Sequence, residues 1–153
     1  MSLAIEVFGL KPVAGILDKK VDTKKKSCET VRGILAEYDP NAGDFKPGKM
    51  LKASTQIGVR LIRDKMWAIF TQGISLTNSL FNHFIFSFPV PKQLLGDCSV
   101  KFYKELLTRC ADANERVQEK AEDTLEAMIL NEKIINAETL HETLLKPLQV
   151  RLN

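Results

Sequence analysis

Signals for β-strands are almost absent from this chain of 153 residues. No stretch keeps the alternation of apolar and polar residues that a half-buried strand shows, and no Asn-Gly or Asp-Gly pair marks a tight hairpin turn. Apolar residues recur instead three or four positions apart, which is the spacing of one helix face. The sequence therefore predicts an all-α fold.

Residues that carry catalysis or bind metal ions are also scarce. The two histidines, His83 and His141, fall on different predicted helices, and the three cysteines are scattered without metal-ligand spacing. No glycine-rich phosphate loop, HExxH motif or GxSxG motif occurs. We therefore expect a protein that is not an enzyme, has no cofactor or metal, and keeps its thiols reduced in a cytosolic compartment.

A large excess of charge of one sign is missing too. The 22 basic residues stand against 19 acidic ones, and a net charge of +3 is too small to imply a nucleic-acid partner. Few aromatic residues accompany the basic ones, which disfavours single-stranded nucleic acid. The apolar stretch 66–88 contains too many polar residues for a membrane-spanning helix, so we expect a buried central helix and no membrane partner.

A repeated helical pattern is what the chain does contain. Residues 102–130 read as two amphipathic helices around a polar turn, in which Asp112 and Asn114 can cap the second helix. Weaker copies occur at intervals of just under fifty residues, with Asp64 and Asp18 in the place of Asp112. The copies share a small residue nine positions after the aspartate, namely Ser27, Gly73 and Ala121. This favours an α-solenoid of about three hairpins of HEAT or armadillo type over a simple helical bundle.

The predicted organisation is one domain over residues 1–153. The repeats are expected at about 4–38, 49–88 and 92–130, followed by a C-terminal capping helix at about 137–152.

Individual helices are predicted from caps and prolines. In the first repeat we expect a helix from about Pro12 to Lys20, and then one that is capped by Asp22 or Thr23. In the second repeat we expect a long, mostly apolar helix over about 66–86.

The turns inside the repeats form the candidate binding site. In a stack of repeats, every turn between a first and a second helix projects from the same edge. Basic or polar side chains recur at these turns: Lys19, Lys20, Lys24, Lys25, Lys26, Arg63, Lys65, Asn114 and Arg116. Such an edge suits an acidic protein surface or a phosphate backbone through charge complementarity. The alternative is that the run of lysines 24–26 only keeps a loop soluble.

Four segments that cover most of the chain also carry a family resemblance: FGLKPVAGILDKKVDTKKKSCETVRGILAEY, VRLIRDKMWAIFTQGISLTNSLF, LLTRCADANERVQEKAEDTLEAMI and the terminal LLKPL. They resemble TOG-type HEAT-repeat domains, most like that of a ciliary-tip centrosomal protein. The resemblance implies binding to tubulin or microtubules through residues 19–26, 63–67 and 114–116, and so adds Trp67 to the site. It also implies a place in the cytoplasm, at the cytoskeleton, centriole or cilium.

Two features depart from that family pattern. The first turn has lysines where these domains commonly have a tryptophan, and a full TOG array has about twice as many repeats.

Two further readings stay open. A general scaffold would hold another protein or a helix, for example against Phe81, Phe84 and Phe88. If repeats are missing, an exposed apolar end face would favour a homodimer.

Overall fold

The computed structural model describes residues 1–42 and 45–131. The helices are α1 (Ser2–Phe8), α2 (Leu10–Ile16), α3 (Val21–Ala36), α4 (Pro47–Ile62), α5 (Trp67–Ser79), a π-helical turn (Leu80–Phe84), α6 (Ile85–Ser87), α7 (Lys92–Arg109) and α8 (Glu115–Ile129). No strand occurs within these two described ranges, and the predicted all-α class is confirmed. The predicted C-terminal helix at about 137–152 lies outside the described residues.

The chain divides into two compact units, with the boundary between Val90 and Pro91. In the first unit α2 packs against α3 and α4 against α5, so that two antiparallel hairpins form. The hairpins stack because α1 contacts α4 and α3 contacts α5. In the second unit α7 packs against α8 as a further hairpin.

The predicted helix from Pro12 to Lys20 was wrong in its bounds. Gly9 has a φ of 90°, a left-handed conformation that side chains with a Cβ rarely adopt, and it breaks the apolar N-terminal stretch into α1 and α2. Pro12 is then the third residue of α2, in the first helical turn, where a missing N–H costs nothing. As a result the first helix of this hairpin is made of two short pieces.

The predicted cap of α3 was also wrong. Lys20 occupies the N-cap position with an extended backbone and makes no side-chain cap bond, whereas Asp22 lies inside the first turn. A carboxylate there still interacts favourably with the positive end of the helix dipole.

The long central helix of the second hairpin contains a feature that its sequence did not reveal. Five residues, Leu80–Phe84, form a π-helical turn, and the Ile85 N–H donates to the Leu80 carbonyl five positions back. The helix is otherwise buried as expected, since Ile69, Phe70 and Phe81 are each at most 1% exposed. Its apolar residues therefore pack against α3 and α4.

The shared small residues mark close contacts between helices. A Cβ built on Gly73 would lie 2.9 Å from the Ile62 backbone nitrogen and 2.9 Å from the Leu61 Cβ. A Cβ built on Gly15 of α2 would lie 3.0 Å from the Ser27 Cβ on α3, and Ala121 is fully buried on α8. The expected close contact between helices is therefore confirmed at Gly73, and Ser27 and Ala121 are also buried.

Gly73→Ala should lower the free energy of unfolding by about 1–3 kcal/mol, because the added methyl group must displace the backbone of α4. Gly33→Ala is the matched control, since among the described residues no atom outside its own stretch of α3 lies within 4 Å of a Cβ at Gly33, and alanine is favoured in helices by about 1 kcal/mol. Urea unfolding should move the two midpoints in opposite directions. Two shifts of the same sign would contradict the close contact.

Ser54→Ala should leave the protein as stable or raise its stability by about 1 kcal/mol. The Ser54 hydroxyl is buried in α4 and has no hydrogen-bond partner in the described part of the chain, so it has lost water without replacement. Its neighbour Thr55 donates to the Leu51 carbonyl at 2.7 Å, and Thr55→Val should destabilise by about 1 kcal/mol. Thermal unfolding of both variants tests the contrast, which equal losses would refute.

Candidate functional site

The turns inside the three hairpins share one hydrogen-bonded geometry. We define turn 1 as residues 17–20, turn 2 as residues 63–66 and turn 3 as residues 110–114. In each turn an aspartate Oδ1 accepts the backbone N–H two residues later: Asp18 from Lys20 at 2.8 Å, Asp64 from Met66 at 2.8 Å, and Asp112 from Asn114 at 2.9 Å. This is the Asx turn, in which a short carboxylate replaces a backbone acceptor. The three aspartates that anchor the sequence repeats therefore do the same structural work.

An ion pair in the first unit joins the first turn of α3, which directly follows turn 1, to turn 2. The Lys24 Nζ donates to Asp64 Oδ2 at 2.6 Å, and the two side chains are only 19% and 13% exposed. Lys24 lies in the first turns of α3, so this contact brings the start of α3 beside turn 2. Lys24 therefore lies at the predicted edge, but most of its surface is covered.

The run of lysines 24–26 does not form one patch. Consecutive helical residues point about 100° apart. Lys24 reaches turn 2, Lys25 is exposed, and Lys26 lines a cleft of about 560 Å³ between α2 and α3. Lys11 from α2 lines the same cleft. The three lysines are adjacent in the sequence, but the helix places them on different faces.

The remaining predicted residues of turns 1 and 2 are mostly exposed. Lys19, Lys20, Arg63 and Lys65 belong to the exposed class, and Arg63 is the C-cap of α4. Trp67, the first residue of α5, is half-buried and its ring lies 5.8 Å from that of Phe70. Trp67 therefore belongs partly to the core and presents only part of its ring to solvent.

Two exposed apolar side chains accompany these basic groups, and the sequence analysis missed both. Leu17 in turn 1 is 45% exposed and Met66 in turn 2 is 49% exposed. Both could have been predicted from the sequence, because each is an apolar residue inside a polar turn. Protein-binding surfaces commonly combine apolar contacts with a charged rim.

Basic charge is concentrated at these two turns and at the first residues of α3 and α5. Residues 17–26 and 63–67 together carry seven basic and three acidic side chains, a net charge of +4 against +3 for the whole chain. The rest of the chain is therefore slightly acidic.

Turn 3 belongs to the second unit and has a different character. Asn114 caps α8 as predicted, because its Oδ1 accepts the Arg116 N–H at 2.9 Å. Arg116 is exposed, but Glu115 precedes it, and Arg109 lies 3.3 Å from Asp112. Turn 3 therefore contains a helix cap and side chains of both charges, whereas the sequence predicted that it would be part of a basic edge.

A groove of about 520 Å³ lies between α3 and the π-helical turn, also within the first unit. Its lining includes Arg32, Gly33, His83 and Phe88. Tyr38 closes the aromatic cluster beneath it, with ring centroids 5.6 Å from Phe84 and 4.9 Å from Phe88. Phe81 and Phe84 are buried, so among the three aromatic residues suggested as a partner site only Phe88 is partly accessible.

Cys28 lies one helical turn after Lys24 on α3 and is 1% exposed. Burial raises the pKa of the Cys28 thiol from its ordinary 9.0 to about 11, and the nearby Asp64 carboxylate adds to the rise. Because only the thiolate is a good nucleophile, this cysteine is protected from reaction.

No group of histidine, cysteine or acidic side chains in the described ranges could hold a metal ion. Within the same ranges no helix has both the length and the apolar character needed to span a bilayer.

The stacked hairpins, their aspartate-closed turns and the close contacts at small residues define the class of helical-repeat proteins. Over residues 1–153 the chain matches the family described as "Centrosomal protein CEP104, TOG domain", and it belongs to that family. TOG domains are non-catalytic helical modules, and the family generally binds tubulin.

Two solved structures share this fold. One, titled "CEP104 TOG domain", is 24% identical, with a TM-score of 0.79, and the match covers 87% of this chain and 52% of that chain. The other, "Structure of the TOG domain of human Cep104", is 20% identical, with a TM-score of 0.78, and the match covers 97% and 65%. This chain thus spans about half to two thirds of the length of those chains. No curated protein matches it by sequence.

Folded protein treated with a maleimide at pH 8 should be labelled at Cys110, which is half-buried, much faster than at Cys28 or the buried Cys98. A pKa two units higher lowers the thiolate fraction of Cys28 by roughly a hundredfold, and burial adds steric protection. Mass spectrometry of the labelled peptides measures the rates. In concentrated urea the three rates should become similar, whereas equal rates in folded protein would contradict the burial of Cys28.

Proposed function

We propose that this chain is a non-enzymatic module that binds tubulin or microtubules through turns 1 and 2 of its first unit. The proposal places it in the cytoplasm at the cytoskeleton, as its centrosomal family suggests. Its contact residues are the exposed groups of the two turns and of the start of α3, namely Leu17, Lys19, Lys20, Lys25, Arg63, Lys65 and Met66.

The observation that carries the proposal is the composition of this surface. Residues 17–26 and 63–67, which are turns 1 and 2 with the first residues of α3 and α5, carry a net charge of +4, and the two turns also expose two apolar side chains. Basic groups steer the approach of an acidic protein surface and set its orientation, but charge alone gives modest affinity. Exposed apolar side chains supply the area that can be buried. Charged side chains alone would keep a loop soluble, so Leu17 and Met66 favour binding because they add apolar area next to the basic groups.

A second candidate function is supported by the groove beside the π-helical turn. There the chain would hold a segment of another protein against Phe88 and His83, as a general helical-repeat scaffold does. The two candidates use different surfaces of the first unit, so separate substitutions address them.

Reversing three exposed lysines at the turns, Lys20→Glu, Lys25→Glu and Lys65→Glu, should weaken binding at least about tenfold, because complementary charge is replaced by repulsion. Co-sedimentation with microtubules and gel filtration with free tubulin, at low and moderate salt, measure the loss. Binding of the unchanged protein should itself weaken as salt screens the exposed charges.

The matched control is Lys52→Glu, Lys101→Glu and Lys104→Glu, which reverses three exposed lysines away from the turns. Both triple variants change the net charge from +3 to −3, so only position differs. Gly33→Arg is the second control, because it fills the groove at a position with open space. Equal losses in the two triple variants, or a loss in Gly33→Arg alone, would contradict binding at the turns.

A further inference from the structure

Asp64 uses its two carboxylate oxygens for two different purposes. Oδ1 accepts the Met66 N–H and closes turn 2, while Oδ2 accepts the Lys24 ammonium from the preceding hairpin, forty residues earlier in the chain. In turn 3 the corresponding Asp112 also meets a basic side chain, but that partner is Arg109, three residues away in the same hairpin. The Lys24–Asp64 pair therefore joins two hairpins, whereas the Arg109–Asp112 pair is local.

The exposure of Lys24 decides what it can do for a binding partner. Its side chain is 19% exposed, and its ammonium group is held at 2.6 Å by a carboxylate that is 13% exposed. Charge-assisted hydrogen bonds of this length are strong, and water screens such a covered pair less than an exposed one. A partner that bound the Lys24 ammonium would have to break its ion pair with the half-buried Asp64 carboxylate. Separating a covered ion pair costs free energy, which would weaken such binding.

We propose that Lys24 and Asp64 are positioning residues: by holding the start of α3, which directly follows turn 1, against turn 2, they keep turns 1 and 2 together as one binding surface. They do not themselves contact the partner. This inference rests on the proposed function for its binding consequence. The contact residues are then the exposed groups on either side of the pair, and Lys24 acts on affinity only through Asp64.

A double-mutant cycle separates positioning from contact. Lys24→Met keeps the apolar stem and removes the charge. Asp64→Asn keeps an oxygen for the Met66 N–H and removes the pairing charge. Each single variant should weaken tubulin binding roughly three- to tenfold, and the double variant should be no weaker than either, because all three lose the same link. Lys24→Arg, which can still pair with Asp64, should restore most of the affinity.

Direct contact by Lys24 predicts a different result. Lys24→Met would then reduce the affinity by a similar factor in the Asp64→Asn background as in the unchanged protein. Additive losses of this kind would overturn the proposal.

A second readout needs no tubulin. Trp67 is the single tryptophan of the chain and begins α5 directly after turn 2, so its emission reports the state of this turn. Lys24→Met and Asp64→Asn should each shift the emission to longer wavelength, because a loosened turn exposes the half-buried indole. Lys24→Arg should not, and neither should Lys25→Met, which removes the neighbouring exposed lysine. Circular dichroism verifies that every variant remains helical.

The binding assay and the Trp67 emission together distinguish failure of the proposed function from failure of the positioning role. If the unchanged protein does not bind tubulin but the emission shifts as described, the proposed function fails and the link between the turns stands. If the protein binds tubulin and neither single variant moves the Trp67 emission, the positioning role is refuted. The proposed function survives that result.

Discussion

The close approach of α5 to α4 at Gly73 is the constraint on which the first unit depends. With no Cβ at this position, the α5 backbone can lie against Leu61 and Ile62, the last residues of α4. The contact lies near the end of α4, so it fixes the path of the chain through the four residues of turn 2. The carboxylate of Asp64 is thereby held where it meets both its own turn and the preceding hairpin. A packing requirement in the core thus determines the geometry of the surface.

The packing of the helices also determines which basic side chains are exposed at the surface. Among the basic groups near turns 1 and 2, Lys24 forms a covered ion pair, and Lys26, although exposed, lines the cleft between α2 and α3. The other basic groups are exposed, as are Leu17 and Met66. Counting lysines in the sequence therefore overstates the part of the charge that a partner can meet. What remains is a smaller surface of mixed character, which is closer to a protein interface than a run of lysines would be.

The hairpin pattern was predictable because it is local and recurs. Asp18, Asp64 and Asp112 occupy equivalent positions, and one hydrogen bond to the second following N–H explains why each is an aspartate. The break at Gly9 was missed because the glycine lies in an otherwise apolar stretch, where its positive φ leaves no pattern. The partner of Lys24 was missed because it lies forty residues away, and only the stacking of hairpins brings the two together. Local patterns thus predicted the turns, whereas tertiary packing determined which side chains they expose.

The π-helical turn acts as a phase shift in the central helix. It accommodates one residue more than an α-helical turn does, so side chains after Ile85 are rotated by roughly 100° relative to an uninterrupted continuation of α5. The helix can then serve two environments that one face could not, with Phe70 in the core of the hairpins and Phe88 on the ring of Tyr38. Deletion of one residue here would leave a regular α-helix, in which Phe88 would point in a different direction. Relatives of different length in this segment would thus share the solenoid while differing in the shape of the groove.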